Sequence, residues 1–226
     1  MSFILGGTSL RPIRAVLFDM DGLLIDSERI AMECDRRAFT DMGIDMPYDV
    51  LLSTLGETAA ASNQIFASHM NIPFNPDRFW PLTQKHYAEL IGAGKLSAKP
   101  GAIELLDELD RLSIPHALAS SSGTRRIALS LCACNLTNRF SVIACGDDPI
   151  RSKPEPDIFL LAAQRLHVQP QDCLVLEDSL SGIQAGRRGG MQVCMVPDLL
   201  PWQETWTPFC DHVCTTLLDV IELLHF

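Results

Sequence analysis

The chain has 226 residues, 47% of them hydrophobic and 20% charged, with a formal net charge of −10. That length accommodates one large domain or one domain plus a smaller one, and the balance is that of an ordinary globular protein. The acidic surplus argues against nucleic acid as a partner but leaves a small phosphorylated ligand open, because one lysine and one metal ion suffice to hold a phosphate.

Residues 1–13 contain FILGG, too short a run for a signal segment with its cleavage site, and no stretch reaches membrane-spanning length. The expectation is a cytoplasmic monomer without a membrane partner. Of the eight cysteines, several sit inside apolar runs such as Cys173-Leu174-Val175-Leu176, the setting of reduced, buried thiols. Cys210, His212 and Cys214 match no zinc-ligand spacing and read as structural filler.

The first apolar run, Ala15–Phe18, predicts a buried strand and opens into Asp19-Met20-Asp21-Gly22. Within the stretch VLFDMDGLLIDSE, Asp19, Asp21, Asp26 and Glu28 crowd four carboxylates onto an apolar scaffold, which is costly unless something neutralises them. Nearly a hundred residues then separate this strand from the next, far beyond an ordinary crossover. The intervening helical patterns Ile30–Met42, Ala59–Met70 and Pro81–Ile91, with no convincing strand, predict an inserted helical cap over residues 29–96. Residues 1–28 and 97–226 then form the core, and Gly22–Ser27 and Gly92–Pro100 are the expected hinges.

Beyond the insertion, His116–Ala119, Val142–Cys145, Cys173–Leu176 and Gln192–Val196 are near-continuous apolar runs, the mark of strands covered on both faces. Helical patterns separate them: Ile103, Leu105, Leu106, Leu109 and Leu112; the stretch Thr124–Asn135; and Ile158, Leu161, Ala162 and Leu166. Strand–helix alternation predicts an α/β domain built on a doubly wound parallel sheet.

In such sheets ligands bind beyond the carboxyl ends of the strands. Those ends carry Asp19 and Asp21, then Ser120-Ser121-Ser122-Gly123, then Gly146-Asp147-Asp148-Pro149 with Lys153 close behind, then Glu177-Asp178-Ser179. Asp19, Asp21, Glu177 and Asp178 would converge from separate strands, and oxygen-only ligands of this kind suit Mg²⁺. Ser120 and the amides after it stand at a helix N-terminus, a ready phosphate site, and Lys153 adds positive charge. Pro154 after Lys153 is placed to open the next helix. Together these groups describe phosphoryl transfer through an aspartyl-phosphate.

Read alone, each residue has a plainer role. Lys153 would be a solvated lysine, Ser179 a helix N-cap, Asp147 and Asp148 a turn with Pro149, and Arg187-Arg188 a solvated helix end. Trp80, Lys85 and His86 read as cap core or surface, and Asp26 and Ser27 as a helix cap or hinge.

The motifs FDMDGLLIDSE, LASSS, SKPEPDIF and LEDSLSGIQAG, in that order and over almost the whole chain, resemble the haloacid dehalogenase superfamily of phosphatases with a helical cap. The resemblance is to the branch of β-phosphoglucomutase and small sugar-phosphate phosphatases, and the run GDDP…KPEPDIFL…CLVLEDSLSG is also similar to pseudouridine-5′-phosphatases. It implies a Rossmann-like core and a Mg²⁺-dependent phosphoric monoester hydrolase acting on a sugar phosphate or nucleoside monophosphate. Asp19 is then the nucleophile, and Asp21 the acid and base whose carbonyl also helps bind Mg²⁺. Ser120, Ser121 and Lys153 hold the phosphoryl group. Asp178 ligates Mg²⁺ directly, and Glu177 does so directly or through water. Independently of the resemblance, the core motifs contain nothing that could recognise a sugar or base, so the cap is expected to set specificity, with Glu57 and Thr58 as the expected substrate-binding positions. The alternatives on the same core are a sugar phosphomutase and a silent sugar-phosphate receptor. The loop Leu55-Gly56-Glu57-Thr58-Ala59-Ala60 lacks the arginine that the mutase pattern carries, and a receptor would be free to lose Asp19 or Asp21.

Overall fold

In the computed structural model, which describes residues 3–4 and 12–225, the apolar runs form the centre of a seven-stranded sheet ordered β1-β7-β6-β5-β2-β3-β4. The strands are β1 (Phe3–Ile4), β2 (Ala15–Phe18), β3 (His116–Ser120), β4 (Val142–Cys145), β5 (Cys173–Glu177), β6 (Gln192–Met195) and β7 (His212–Val213). Strands β2 to β7 run parallel, and β1 joins β7 antiparallel. Strands β1 and β7, at one side of the sheet, are only two residues long each, too short for the periodicity of an apolar run to reveal. Apart from β1, residues 1–11 lie outside the described residues, and with them most of the stretch in which a leader was looked for.

Every residue of β2, β3, β5 and β6 is buried, which is why these strands read as near-continuous apolar runs with polar residues only at their ends. Helices α5 (Ala102–Leu112), α6 (Thr124–Ala133), α7 (Asp157–Leu166), α8 (Leu180–Arg188) and α9 (Leu217–Leu223) complete the α/β unit. Ala15, Leu17, Ala117, Ala119, Val175 and Val193 pack with Ile158, Phe159, Ala162 and Ile183 of α7 and α8. Phe18 stacks edge-on against His116 and Phe140. Strand β2 has β3 on one side and β5 on the other, with the chain order reversing there, the topological switch point at which such sheets bind ligands.

The chain divides into two compact units, one of residues 1–25 with 98–226 and one of Asp26–Ser97. The second is helical: α1 (Glu28–Asp41), α2 (Tyr48–Leu52), α3 (Ala59–Ser68) and α4 (Pro76–Gly92), with no strand among its described residues. Phe39, Phe66, Phe74 and Phe79 form an aromatic cluster that gives it a core of its own. The last helix starts five residues before the expected Pro81. Asn75 caps it by accepting from the Arg78 amide at 3.1 Å, and Pro76 takes the first helical position. Pro81 therefore sits inside the helix, tolerated because the cap and the buried Phe79 hold the turn before it.

Helix α7 also departs from expectation. It begins at Asp157, with Pro154 and Pro156 in the turn ahead of it rather than at its first position. Lys153 is thus carried on a non-helical turn.

Candidate active site

Asp19 follows the last residue of β2, and its amide donates to the Leu176 carbonyl of β5 at 3.0 Å. That bond continues the ladder one residue past the strand and fixes the side chain at the sheet edge. The next turn folds back on itself: Leu24 and Ile25 amides both donate to the Met20 carbonyl, and Gly22 takes a positive φ of 81° that favours glycine.

Lys153 reaches this edge from the turn before α7. Its Nζ donates to Asp19 Oδ1 at 2.5 Å, Glu177 Oε1 at 2.7 Å and the Ala119 carbonyl at 3.3 Å. It is 7% exposed and lies over the Phe159 ring, so it is no solvated surface lysine. Burial works against its charge, yet Asp19 and Glu177 together hold the ammonium above the ordinary lysine range.

Glu177 is 1% exposed, and the chain around it is shaped to its carboxylate. Oε2 accepts from the amides of Asp178 and Ser179, both at 3.0 Å, and from the Ser179 hydroxyl at 2.9 Å. Ser179 also caps α8 by accepting from the Gly182 amide at 3.1 Å, the role its position suggested. A buried carboxylate with this many donors has its hydrogen-bonding capacity satisfied.

Burial pushes the Asp19 carboxyl up to about 8; Lys153 opposes the rise, and Glu177 and Asp21 add to it. One ammonium shared by buried carboxylates leaves the site short of positive charge. Oxygens of Asp19, Glu177 and Asp178 lie within 4.8 Å of one another, an oxygen-only donor set that fits a hard divalent cation. No other such group occurs among the described residues, so Cys210, His212 and Cys214 do not form one.

The Asp21 carboxylate is not part of that donor group. Its Oδ2 accepts from the Ser122 hydroxyl at 2.8 Å, and its Oδ1 from Arg126 Nη2 at 3.2 Å. The sequence reading passed over both partners. A signal was available: Arg125 and Arg126 stand in the first turn of α6, where the helix dipole disfavours cations. Carboxylates from elsewhere answer that placement, and Asp147 accepts from the Thr124 amide at 2.7 Å, which holds its pKa below the usual range.

Ser120, the last residue of β3, is 1% exposed, and its hydroxyl accepts from the Ser122 amide at 3.1 Å. The Gly146 amide donates to the Ser122 carbonyl at 3.0 Å, and a Cβ on Gly146 would lie 2.2 Å from the Ser121 carbonyl oxygen. The turn 120–123 is therefore clamped against the end of β4. Ser121 is exposed on it and lines a small cavity with Gly146, Ser152 and Lys153.

Remaining sequence candidates have local roles. Asp148 accepts from the Cys145 amide and pairs with Arg165. Arg187 and Arg188 pair with Asp211 and Glu155. In the helical unit, Thr58 caps α3 by accepting from the Ala61 amide at 3.2 Å, and Glu57 is exposed beside it. Trp80 donates to Asn63, and His86 bonds Asp41 at 2.9 Å.

Residues 16–196 match the family described as haloacid dehalogenase-like hydrolase. The chain is 33% identical over 216 residues to a Drosophila melanogaster protein named "Probable pseudouridine-5'-phosphatase", covering 93% of this chain and 92% of that one. It is 33% identical to a bifunctional riboflavin kinase/FMN phosphatase of Arabidopsis thaliana, over 91% of this chain and 54% of that longer one. Among solved structures, CbbY from Rhodobacter sphaeroides in complex with phosphate superposes with a TM-score of 0.80 at 26% identity, covering 92% of this chain and 96% of that one.

Proposed function

This chain belongs to the haloacid dehalogenase-like hydrolases, and from that premise we propose that it is a phosphoric monoester hydrolase of small phosphorylated metabolites, with Asp19 as its nucleophile. The observation that carries the reading is the meeting of Asp19, Lys153 and Glu177 through bonds of 2.5 and 2.7 Å at the switch point of the sheet, beside Ser120.

An Asp19 oxygen attacks phosphorus, the bond to the leaving oxygen breaks, and the phosphoryl group passes to Asp19 as an acyl phosphate. Asp21 gives its proton to the leaving oxygen. Asp21 then takes a proton from water as that water attacks phosphorus, releasing phosphate and restoring Asp19. The Ser120 hydroxyl, the backbone of Ser121 and the Lys153 ammonium orient the phosphoryl oxygens and offset their charge. Glu177 holds Lys153 in place.

The cation that fits the donor set of Asp19, Asp178 and Glu177 is Mg²⁺, since oxygen ligands beside a phosphate suit it; these residues would hold it, and the Asp21 carbonyl would add a further oxygen. When bound it supplies charge neutralisation between an anionic ester and an anionic nucleophile. Choice of substrate is assigned to the helical unit, with Glu57 and Thr58 as its contributors, because the core motifs recognise only phosphate.

Phosphate release from p-nitrophenyl phosphate, with and without Mg²⁺, followed by a screen of sugar and nucleoside monophosphates, tests the reading. Wild type should turn over only with the metal, and Asp19→Asn should fall below a hundredth of it. Equal turnover by the two proteins would overturn the assignment.

A further inference from the structure

Asp21 is held by residues that no motif assigns. Among the partners of its carboxylate, each oxygen has one from the segment that begins with Ser120: the Ser122 hydroxyl on Oδ2 at 2.8 Å and the Arg126 guanidinium on Oδ1 at 3.2 Å. Two bonds to separate groups fix the plane of a carboxyl group, where one bond would leave it free to rotate.

The two partners also differ chemically. A guanidinium carries only donors, so the oxygen facing Arg126 must be an acceptor. A hydroxyl donates or accepts, so the oxygen facing Ser122 is the one that can carry a proton. Arg126 is partly screened from solvent, with its side chain 37% exposed, and it stands in the first turn of α6 against the helix dipole. Ser122 is itself locked, its amide on the Ser120 hydroxyl at 3.1 Å and its carbonyl on the Gly146 amide at 3.0 Å. The turn that presents Ser120 to phosphate is thus the turn that aims Asp21.

We propose that Arg126 and Ser122 are positioning residues for the general acid, fixing the orientation of the Asp21 carboxyl. The inference rests on the phosphatase reading above. As the P–O bond to the leaving group breaks and the bond from Asp19 to phosphorus forms, the proton passes from the Asp21 carboxyl to the leaving oxygen. The carboxylate left behind already faces the guanidinium. Losing either partner lets the carboxyl rotate away, which harms only leaving groups that need a proton.

The experiment is a leaving-group series. Wild type, Arg126→Gln, Arg126→Lys and Ser122→Ala are assayed with Mg²⁺ on p-nitrophenyl, phenyl and benzyl phosphate, and the slope of log kcat against leaving-group pKa is compared. General acid catalysis is worth about 10²–10⁴-fold, so partial misplacement should cost Arg126→Gln roughly tenfold or more on benzyl phosphate. The loss should shrink as the leaving group becomes more acidic, steepening the slope. Arg126→Lys should recover part of the loss, and Ser122→Ala should steepen the slope without touching the guanidinium. Parallel lines for all four proteins overturn the inference, as does a rise in KM at constant kcat, which would make Arg126 a substrate-binding group. A wild type inactive on every ester would overturn the phosphatase reading and this inference with it. An active wild type with unsteepened variants overturns the inference alone.

Discussion

Glu177 and Gly182 occupy space that only one side chain can have: a Cβ on Gly182 would lie 1.8 Å from Glu177 Oε1 and from its carboxyl carbon. The helix approaches this closely because Ser179, its N-cap, binds the same carboxylate. Alanine in a helix interior is ordinarily favoured over glycine by about 1 kcal/mol. Here the clash with a buried, multiply bonded carboxylate dominates, and overpacking costs about 1–3 kcal/mol. Gly182→Ala should therefore lower stability in urea denaturation and, by displacing the group that holds Lys153, lower kcat more than it raises KM. A stabilised Gly182→Ala would show that Glu177 is free to move.

Lys153 carries the only ammonium within hydrogen-bond distance of Asp19 and Glu177 among the described residues. Removing one partner of a buried ion pair costs about 3–5 kcal/mol, because the remaining charge is left without compensation. Lys153→Met should be destabilised on that scale in EDTA, and adding Glu177→Gln should restore part of the loss. A double-mutant cycle with no coupling would separate the two residues energetically.

Asp19 is pushed up to about 8 from an ordinary 3.8. Below pH 3.8 it is protonated folded and unfolded alike. Between 3.8 and about 8 the unfolded chain ionises while the folded one resists, so stability from this group is lost as pH rises through that window. In EDTA, wild type should lose stability relative to Asp19→Asn on going from pH 4 to pH 8. A constant difference between the two proteins across that range would exclude a raised Asp19.

A cation bound by Asp19 and Asp178 competes with that proton, so Mg²⁺ should stabilise the protein more at pH 8 than at pH 5. Saturation near 100 times Kd contributes about 2.7 kcal/mol. For a chain of this size each kcal/mol moves the midpoint by about 2–4 °C, giving a rise of several degrees that EDTA reverses. Asp178→Asn should shrink the rise strongly. Calorimetry finding the same rise in that variant would place the cation elsewhere.

The four central strands and the polar groups at their ends were legible in the sequence for one reason. A strand buried on both faces has few polar positions to spare, so it reads as a near-continuous apolar run with its polar residues confined to its ends. Phe18 gives way to Asp19, Ala119 to Ser120 and Leu176 to Glu177 at the rim of one sheet. The sequence also predicts a helical insertion over residues 29–96, since an insertion of that length must bury a core of its own; the second compact unit spans Asp26–Ser97.

Only tertiary structure decided what those groups touch. Lys153 was expected at the phosphate site from its motif, but its burial between two carboxylates was not legible, because its position is set by a turn and by α7 packing on β3, β4 and β2, not by local pattern. Asp21 meets Ser122 and Arg126 across separations of 101 and 105 residues, a contact created by strand register. Gly182 is an ordinary helical glycine until the Glu177 carboxylate is seen to fill the place of its Cβ. Sequence spacing carries the period of an element and the character of its ends. The distance between side chains on different elements depends on register, twist and helix placement, and these exist only once the sheet has formed.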